Sequence, residues 1–122
     1  MREVKPINYK YDSSADALMI RVPNYEHEES VSLNNNLIVD FNKDNEFIAL
    51  EILDASHVLN TNKHSLQKIS NINLRVIVTK DQIFISSIFV LPVRNADVVR
   101  ETNASAVNDI NIPVMETELA TA

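Results

Sequence analysis

Residues 74–91 read Leu74-Arg75-Val76-Ile77-Val78-Thr79-Lys80-Asp81-Gln82-Ile83-Phe84-Ile85-Ser86-Ser87-Ile88-Phe89-Val90-Leu91, and their periodicity decides the fold class. Leu74, Val76 and Val78 alternate with Arg75, Ile77 and Thr79, the period of two that a pleated, half-buried strand imposes. Lys80-Asp81 is a short connection, which makes 74–91 a β-hairpin. Gln82 to Leu91 is the longest strand candidate in the chain. Ile83, Ile85, Phe89 and Leu91 fall on one side of it, Phe84, Ile88 and Val90 on the other. A strand apolar on both faces belongs in the middle of a sheet, or beneath a helix or a second subunit. Leaving two or three such side chains bare forgoes roughly 1.5–3 kcal/mol each. The reading is therefore a homodimer or higher oligomer with 82–91 in or beside its interface and Phe84, Ile88 and Val90 as contact residues. The competing cover is a strand or helix formed by residues 93–114 of the same chain.

The same period recurs towards the N-terminus. Asn8 to Tyr11, Ala17 to Val22, Glu26 to Leu33, Leu37 to Phe41 and Phe47 to Leu53 are strand candidates, the third polar enough for an edge. Asp12-Ser13-Ser14, Asn34-Asn35-Asn36 and Asn42-Lys43-Asp44-Asn45 supply turns between them. Ala55 to Leu59 forms a short helix that Asp54 is placed to cap, and Lys63 to Ile69 a second that starts at Thr61 or Asn62. Beyond Pro92 the pattern weakens. Pro113 suits an edge or an extended arm, and Glu116 to Ala122 is expected to fray. The whole is an α+β, β-dominated chain with a mostly antiparallel or mixed sheet of seven to eight strands and one or two short helices. It reads as one domain, 1–122, with subregions 7–59 and 63–114, because either half alone is marginal in core.

The chain has 122 residues, 15 of them Asn and none Gly. Turns that need positive φ must then use the next most tolerant residue, which is Asn. Asn36 and Asn45 are expected to be left-handed or to sit in primed turns, with positive φ at one of them or both.

Three blocks carry a resemblance: Tyr11-Asp12-x-x-Ala15-Asp16-Ala17-Leu18-x-Ile20, Leu37-Ile38-Val39-Asp40-Phe41-x-x-Asp44-Asn45, and Ile48-x-Leu50-Glu51-Ile52-Leu53-Asp54-Ala55-Ser56. In order and spacing, from about Ile7 to Leu59, they resemble an uncharacterised prokaryotic family, domain of unknown function 2283. The resemblance implies a small antiparallel or mixed sheet followed by a short helix, and it implies no activity. The family pattern places Gly where this chain has Asn36, Asn45 and Ala49.

Composition narrows the function classes. With 17 acidic and 11 basic side chains the net charge is −6, and the pI is about 4.9, a balance that disfavours nucleic acid and anionic membrane as partners. The absence of Cys removes disulfides, thiolate metal sites and cysteine nucleophiles, and the absence of Gly removes glycine-rich phosphate loops. No apolar run reaches the roughly 20 residues of a membrane span. Met1 to Pro6 has no apolar stretch behind it, so a cytoplasmic protein without a signal peptide is expected.

No residue pattern carries a strong catalytic signal. His27, His57 and His64 lack ligand spacing, so no metal site and no cofactor are expected. Asp12, Asp16, Asp44 and Asp54 read as turn and cap residues. Asp40 and Glu51 lie in strands that pair, and would repel if they faced each other. They form a candidate polar surface without assigned catalytic residues. Basic residues are dispersed, six of the eleven lying in the second half: Lys63, Lys68, Arg75, Lys80, Arg94 and Arg100. Three classes follow. The first is a non-catalytic protein-binding or regulatory module with a protein partner. The others are a homo-oligomeric structural module with no separate ligand, and a cryptic hydrolase or cation-dependent enzyme on the Asp40/Glu51 surface.

Overall fold

The computed structural model describes residues 4–24, 26 and 29–121. His27, and residues 27 and 28 of the third strand candidate, lie outside that set. Ten strands and two single-turn helices follow in chain order. They are β1 (Val4–Pro6), β2 (Asn8–Asp12), β3 (Ala17–Arg21), β4 (Glu29–Ser32), β5 (Leu37–Phe41) and β6 (Phe47–Ile52), then α1 (Ala55–Val58) and α2 (Lys63–Leu66). The second half holds β7 (Asn71–Val78), β8 (Gln82–Val93), β9 (Ala96–Val107) and β10 (Met115–Ala120). The β-dominated class with short helices amid the strands stands, but the strands exceed the seven or eight expected and divide into two five-stranded sheets.

The N-terminal sheet has the order β2-β3-β6-β5-β4 and is antiparallel throughout. Its alternation turns Leu18, Ile20, Val39, Leu50 and Ile52 to one face, where all five are fully buried. The C-terminal sheet has the order β1-β10-β7-β8-β9, with β1 parallel to β10 and the other pairs antiparallel. Its buried face carries Ile72, Leu74, Val76, Ile83, Ile85, Phe89 and Leu119. Side chains from both sheets, with Ala55, Leu59 and Leu66 from the helical segment, belong to one hydrophobic cluster. Ile7 joins the sheets at one corner: β1 and β2 are nearly one strand, and Ile7 N donates to Ala120 O at 3.1 Å.

Four expectations need correction. Glu116 to Ala122 does not fray: β10 lies between β1 and β7 and buries Leu119. Its apolar signal is thin, and its order comes from a ladder with residues more than 35 positions away. The segment leading to Pro113 is likewise no free arm. Asn108 Nδ2 donates to Ile112 O at 2.8 Å and Ile112 N to Asn108 Oδ1 at 2.9 Å, which pins Ile112 in the core. Residues 93–114 do not cover the second face of β8, because β9 pairs along its edge. Finally, Asn45 has φ 61°, but Asn36 is not among the positive-φ residues. The turn before β5 is closed instead by Asn34, whose Oδ1 accepts from Asn36 N at 2.7 Å and Leu37 N at 2.9 Å. The other left-handed residues are Asp16, Asn24, Asp54, Asn60, Arg94, Asn95 and Asn111, so Asn and Asp fill the role of Gly at most such positions.

Candidate functional site

Asp40 and Glu51 sit on the outward face of the N-terminal sheet, but they do not oppose each other. Asp40 pairs with Ala49, and Glu51 with Ile38 on one side and Met19 on the other. The fully buried Ala49 methyl lies across from both Arg21 and Asp40. The small side chain at this position leaves its larger neighbours room to close over it. Asp40 is only 7 % exposed and accepts a hydrogen bond from Ser30 Oγ at 2.6 Å. A carboxylate so held, one pleat from Glu51, avoids the direct repulsion anticipated from the sequence.

A different acidic residue makes the most connected polar contact. Asp16, at φ 51° in the β2–β3 turn, reaches across 40 residues to the start of α1. Its carboxylate accepts from Ser56 N at 3.1 and 3.3 Å, from Ser56 Oγ at 2.6 Å and from Tyr11 OH at 2.6 Å. Asp16 O also accepts from Ala55 N at 2.9 Å. Asp54 stands at the N-cap position of α1 but is itself left-handed, and its side chain makes no cap bond. Asp16 therefore caps α1 from outside it, which corrects the reading of Asp54. Burial alone would raise the Asp16 carboxyl, but the Ser56 and Tyr11 hydrogen bonds and the Lys63 charge outweigh it and hold the group below its ordinary value. Tyr11 is pushed upward, first by burial and then by the same bond to Asp16. Asp12 serves the same turn, its Oδ1 accepting from Ser14 N at 2.9 Å and Ala15 N at 3.2 Å. The signal for this tie was present in the sequence, since Tyr11, Asp16 and Ser56 all fall in the quoted blocks, but nothing there says that a turn and a helix 40 residues on should meet.

The outward face of the C-terminal sheet has another character. Phe84 and Ile88 on β8 are 41 % and 38 % exposed, with Val90 half-buried beside them. Val99 and Val107 on β9 and Val4 on β1 add exposed apolar groups to the same face. Around them stand Arg75, Glu101, Glu116 and Glu118, with Arg75 ion-paired to Glu116. A shallow depression of about 310 Å³ runs over Arg75, Ile77, Phe84, Ser86, Asn103 and Ser105. Among the described residues no three His, Cys, Asp or Glu side chains converge as a metal site. Nor, among them, is any helix long and apolar enough to cross a membrane.

Comparison with known proteins bears on this division. The profile of the family described as "Protein of unknown function (DUF2283)" matches residues 8–56. A protein of Methanosarcina mazei named "Putative hypoxanthine phosphoribosyltransferase" is 30% identical over 106 residues, covering 87% of this chain and 85% of that protein. The chain belongs to the DUF2283 family. An uncharacterized protein of Methanocaldococcus jannaschii is 24% identical over 108 residues, 87% of this chain and 91% of its own length. No solved structure gives a significant match. The DUF2283 segment ends inside α1, so it comprises β2 to β6 and the whole Tyr11–Asp16–Ser56 tie. The C-terminal sheet lies beyond it except for the cluster it shares. The alignment with the Methanosarcina protein is more than twice as long as that segment and so extends past it.

Proposed function

We propose that this DUF2283 protein is a non-catalytic protein-binding module that recognises its partner through the outward face of the C-terminal sheet. One observation carries the reading: Phe84 and Ile88 stay about two-fifths exposed on an interior strand, where alternation would ordinarily place polar groups. Aromatic and aliphatic side chains set in a polar rim are what the centre of a recognition surface requires. The chain's net charge of −6, with Glu101, Glu116 and Glu118 on that face, favours a basic partner. We further infer that both sheets act as one domain, since each contributes a comparable share of the same apolar cluster.

The enzymatic alternatives receive less support. Asp40 is buried against Ser30 and offset from Glu51, which suits a structural carboxylate better than a reacting pair. The name of the Methanosarcina relative raises hypoxanthine as a ligand. Against that, the chain has no Gly to form a glycine-rich phosphate loop, and its described helices have four residues each.

The test is purification of the tagged protein from its native host, followed by intact-complex mass measurement. A basic protein in fixed stoichiometry is expected. It should disappear with Phe84→Asp plus Ile88→Asp and remain with Asp40→Asn plus Glu51→Gln, the circular dichroism being unchanged in both. Loss in the second variant but not the first would move the site to the N-terminal sheet. Saturable calorimetric binding of hypoxanthine would overturn the non-catalytic reading.

A further inference from the structure

β9 is an edge strand of twelve residues, whereas the other three edges, β1, β2 and β4, have three to five. Short edges are one of the usual protections against unwanted strand pairing, and β9 lacks that protection. Its charged residues are Asp97, Arg100 and Glu101, of which Arg100 is tied to Asn60 O at 3.2 Å, and three further protections are missing. From Asp97 to Val107 it holds no Pro and no Lys, and its ladder with β8 runs from Val93↔Ala96 to Gln82↔Val107 without a bulge.

The hairpin turn fixes which backbone groups face outward. Arg94 and Asn95 have φ 50° and 64°, the two positive values that a two-residue type I′ turn needs. Such a turn closes on a hydrogen-bonded pair, here Val93 and Ala96, so the even-numbered residues of β9 exchange bonds with β8. Asn108 N continues this parity by donating to Asp81 O at 2.9 Å. The odd-numbered residues therefore aim N–H and C=O away from the sheet, where Val99 O accepts from Arg100 Nη1 at 3.2 Å, a bond that strand pairing would exchange. Their side chains are those of the outward face: Val99, Glu101, Asn103, Ser105 and Val107.

We propose that β9 pairs antiparallel with β9 of a second copy, about a two-fold axis through Asn103, to give one continuous ten-stranded sheet. The register follows from the side chains. A two-fold normal to the sheet keeps each residue on its own face and sets residue 103 + n opposite 103 − n. Val99 then meets Val107 of the second copy and Val107 meets its Val99, so two valines that are 57 % and 62 % exposed cover each other. Between residues 99 and 107, Glu101 meets Ser105, Thr102 meets Ala104 and Arg100 meets Ala106, so no like charges stand opposite there. The one acidic pair, Asp97 with Asp109, falls where Asp109 has left the strand. Of the axis positions from Glu101 to Ser105, Asn103 alone sets valine against valine. An axis through Glu101 would oppose that carboxylate to its own copy. This pairing uses the edge of the sheet and not its face, and it goes beyond the proposed partner surface.

Sedimentation equilibrium tests it together with an engineered cross-link. The wild-type chain should sediment at twice 13.8 kDa at micromolar concentration. Asn103→Lys, which places two ammonium groups together on the axis, should return the mass to that of one chain with unchanged circular dichroism. Ser105→Lys faces Glu101 of the second copy and should keep the dimer. The native chain has no Cys. The double variant Val99→Cys plus Val107→Cys should thus form a covalent dimer under mild oxidation, and Val99→Cys alone should not; a hydrogen-bonded pair sets Cα atoms about 5.5 Å apart, within disulfide reach. A single-chain mass at every concentration overturns the proposal, as does a dimer that survives Asn103→Lys. Loss of the dimer in both lysine variants overturns the Asn103 register. A dimer dissolved by Phe84→Asp and untouched by Asn103→Lys would place self-association on the sheet face. That result would replace both this proposal and the basic partner, whereas loss of the host partner alone leaves the edge pairing standing.

Discussion

The two sheets reach the same core by different routes. The N-terminal sheet is assembled from strands of four to six residues whose turns are closed by their own side chains, Asp12, Asn34 and Asn42. Its outward face is polar, with Lys10, Arg21, Asp40 and Glu51. The C-terminal sheet contains an eight-residue and two twelve-residue strands, sets β1 beside β10 from the opposite end of the chain, and leaves large apolar groups in the open. Locally closed turns make the first sheet cheap in loop entropy, while the second depends on closing loops that nearly span the chain. The family segment coincides with the locally determined sheet. The proposed binding surfaces lie on the other.

The largest effect should come from separating the two. A chain ending at Leu59 keeps every strand of the N-terminal sheet but bares Leu18, Ile20, Val39, Leu50 and Ile52, each giving up roughly 1.5–3 kcal/mol. It should show no cooperative thermal transition by circular dichroism. A sharp transition would break the claim that the two sheets stabilise each other.

The next contrast is within β8. Phe89 is fully buried and Phe84 is not. Phe89→Ala should cost about 3–5 kcal/mol in urea unfolding, and Phe84→Ala less than about 1 kcal/mol. Similar costs would mean that the outward face is covered.

The tie between turn and helix should come third. Asp16→Ala removes the acceptor for Ser56 and Tyr11 and should cost about 2 kcal/mol. Because the folded carboxyl lies below its ordinary value of 3.8, the contribution is fully present above that value. It is lost as pH falls through the lower folded value. Asp16→Asn should therefore flatten the acid limb of the stability–pH profile, as read from melting temperatures on both sides of that ordinary value.

The smallest effects sharpen the account of the missing glycines. Asn45→Gly should be neutral or stabilising and Asn45→Val should cost about 1 kcal/mol, since φ is 61° there. Asn36→Gly should bring no gain, because Asn36 does not occupy the left-handed region. Equal melting temperatures for the Gly and Val variants at 45 would refute the turn assignment.

Period-two alternation made β2, β3, β5, β6, β7 and β8 legible, because a pleated backbone with one buried face writes its geometry directly into residue order. The turn at Asn45 was legible for a similar reason: few side chains tolerate its backbone. Asn36 misled because an Asx turn held by Asn34 needs no positive φ at all. Asp54 misled because proximity to a helix start does not fix where its carboxylate points, and Asp16 arrives from a distant turn to take the bonds. β9 and β10 were obscure because Thr102, Ala104, Glu116 and Glu118 carry little hydrophobic contrast, and their order comes from neighbours supplied by other parts of the chain. The sequence by itself determined the β class, the family segment and the apolar doubling of β8. Only the tertiary structure decided which face of β8 is core, which residue caps α1 and which edge stays open. Those depend on pairings between distant residues, and local periodicity contains no record of them.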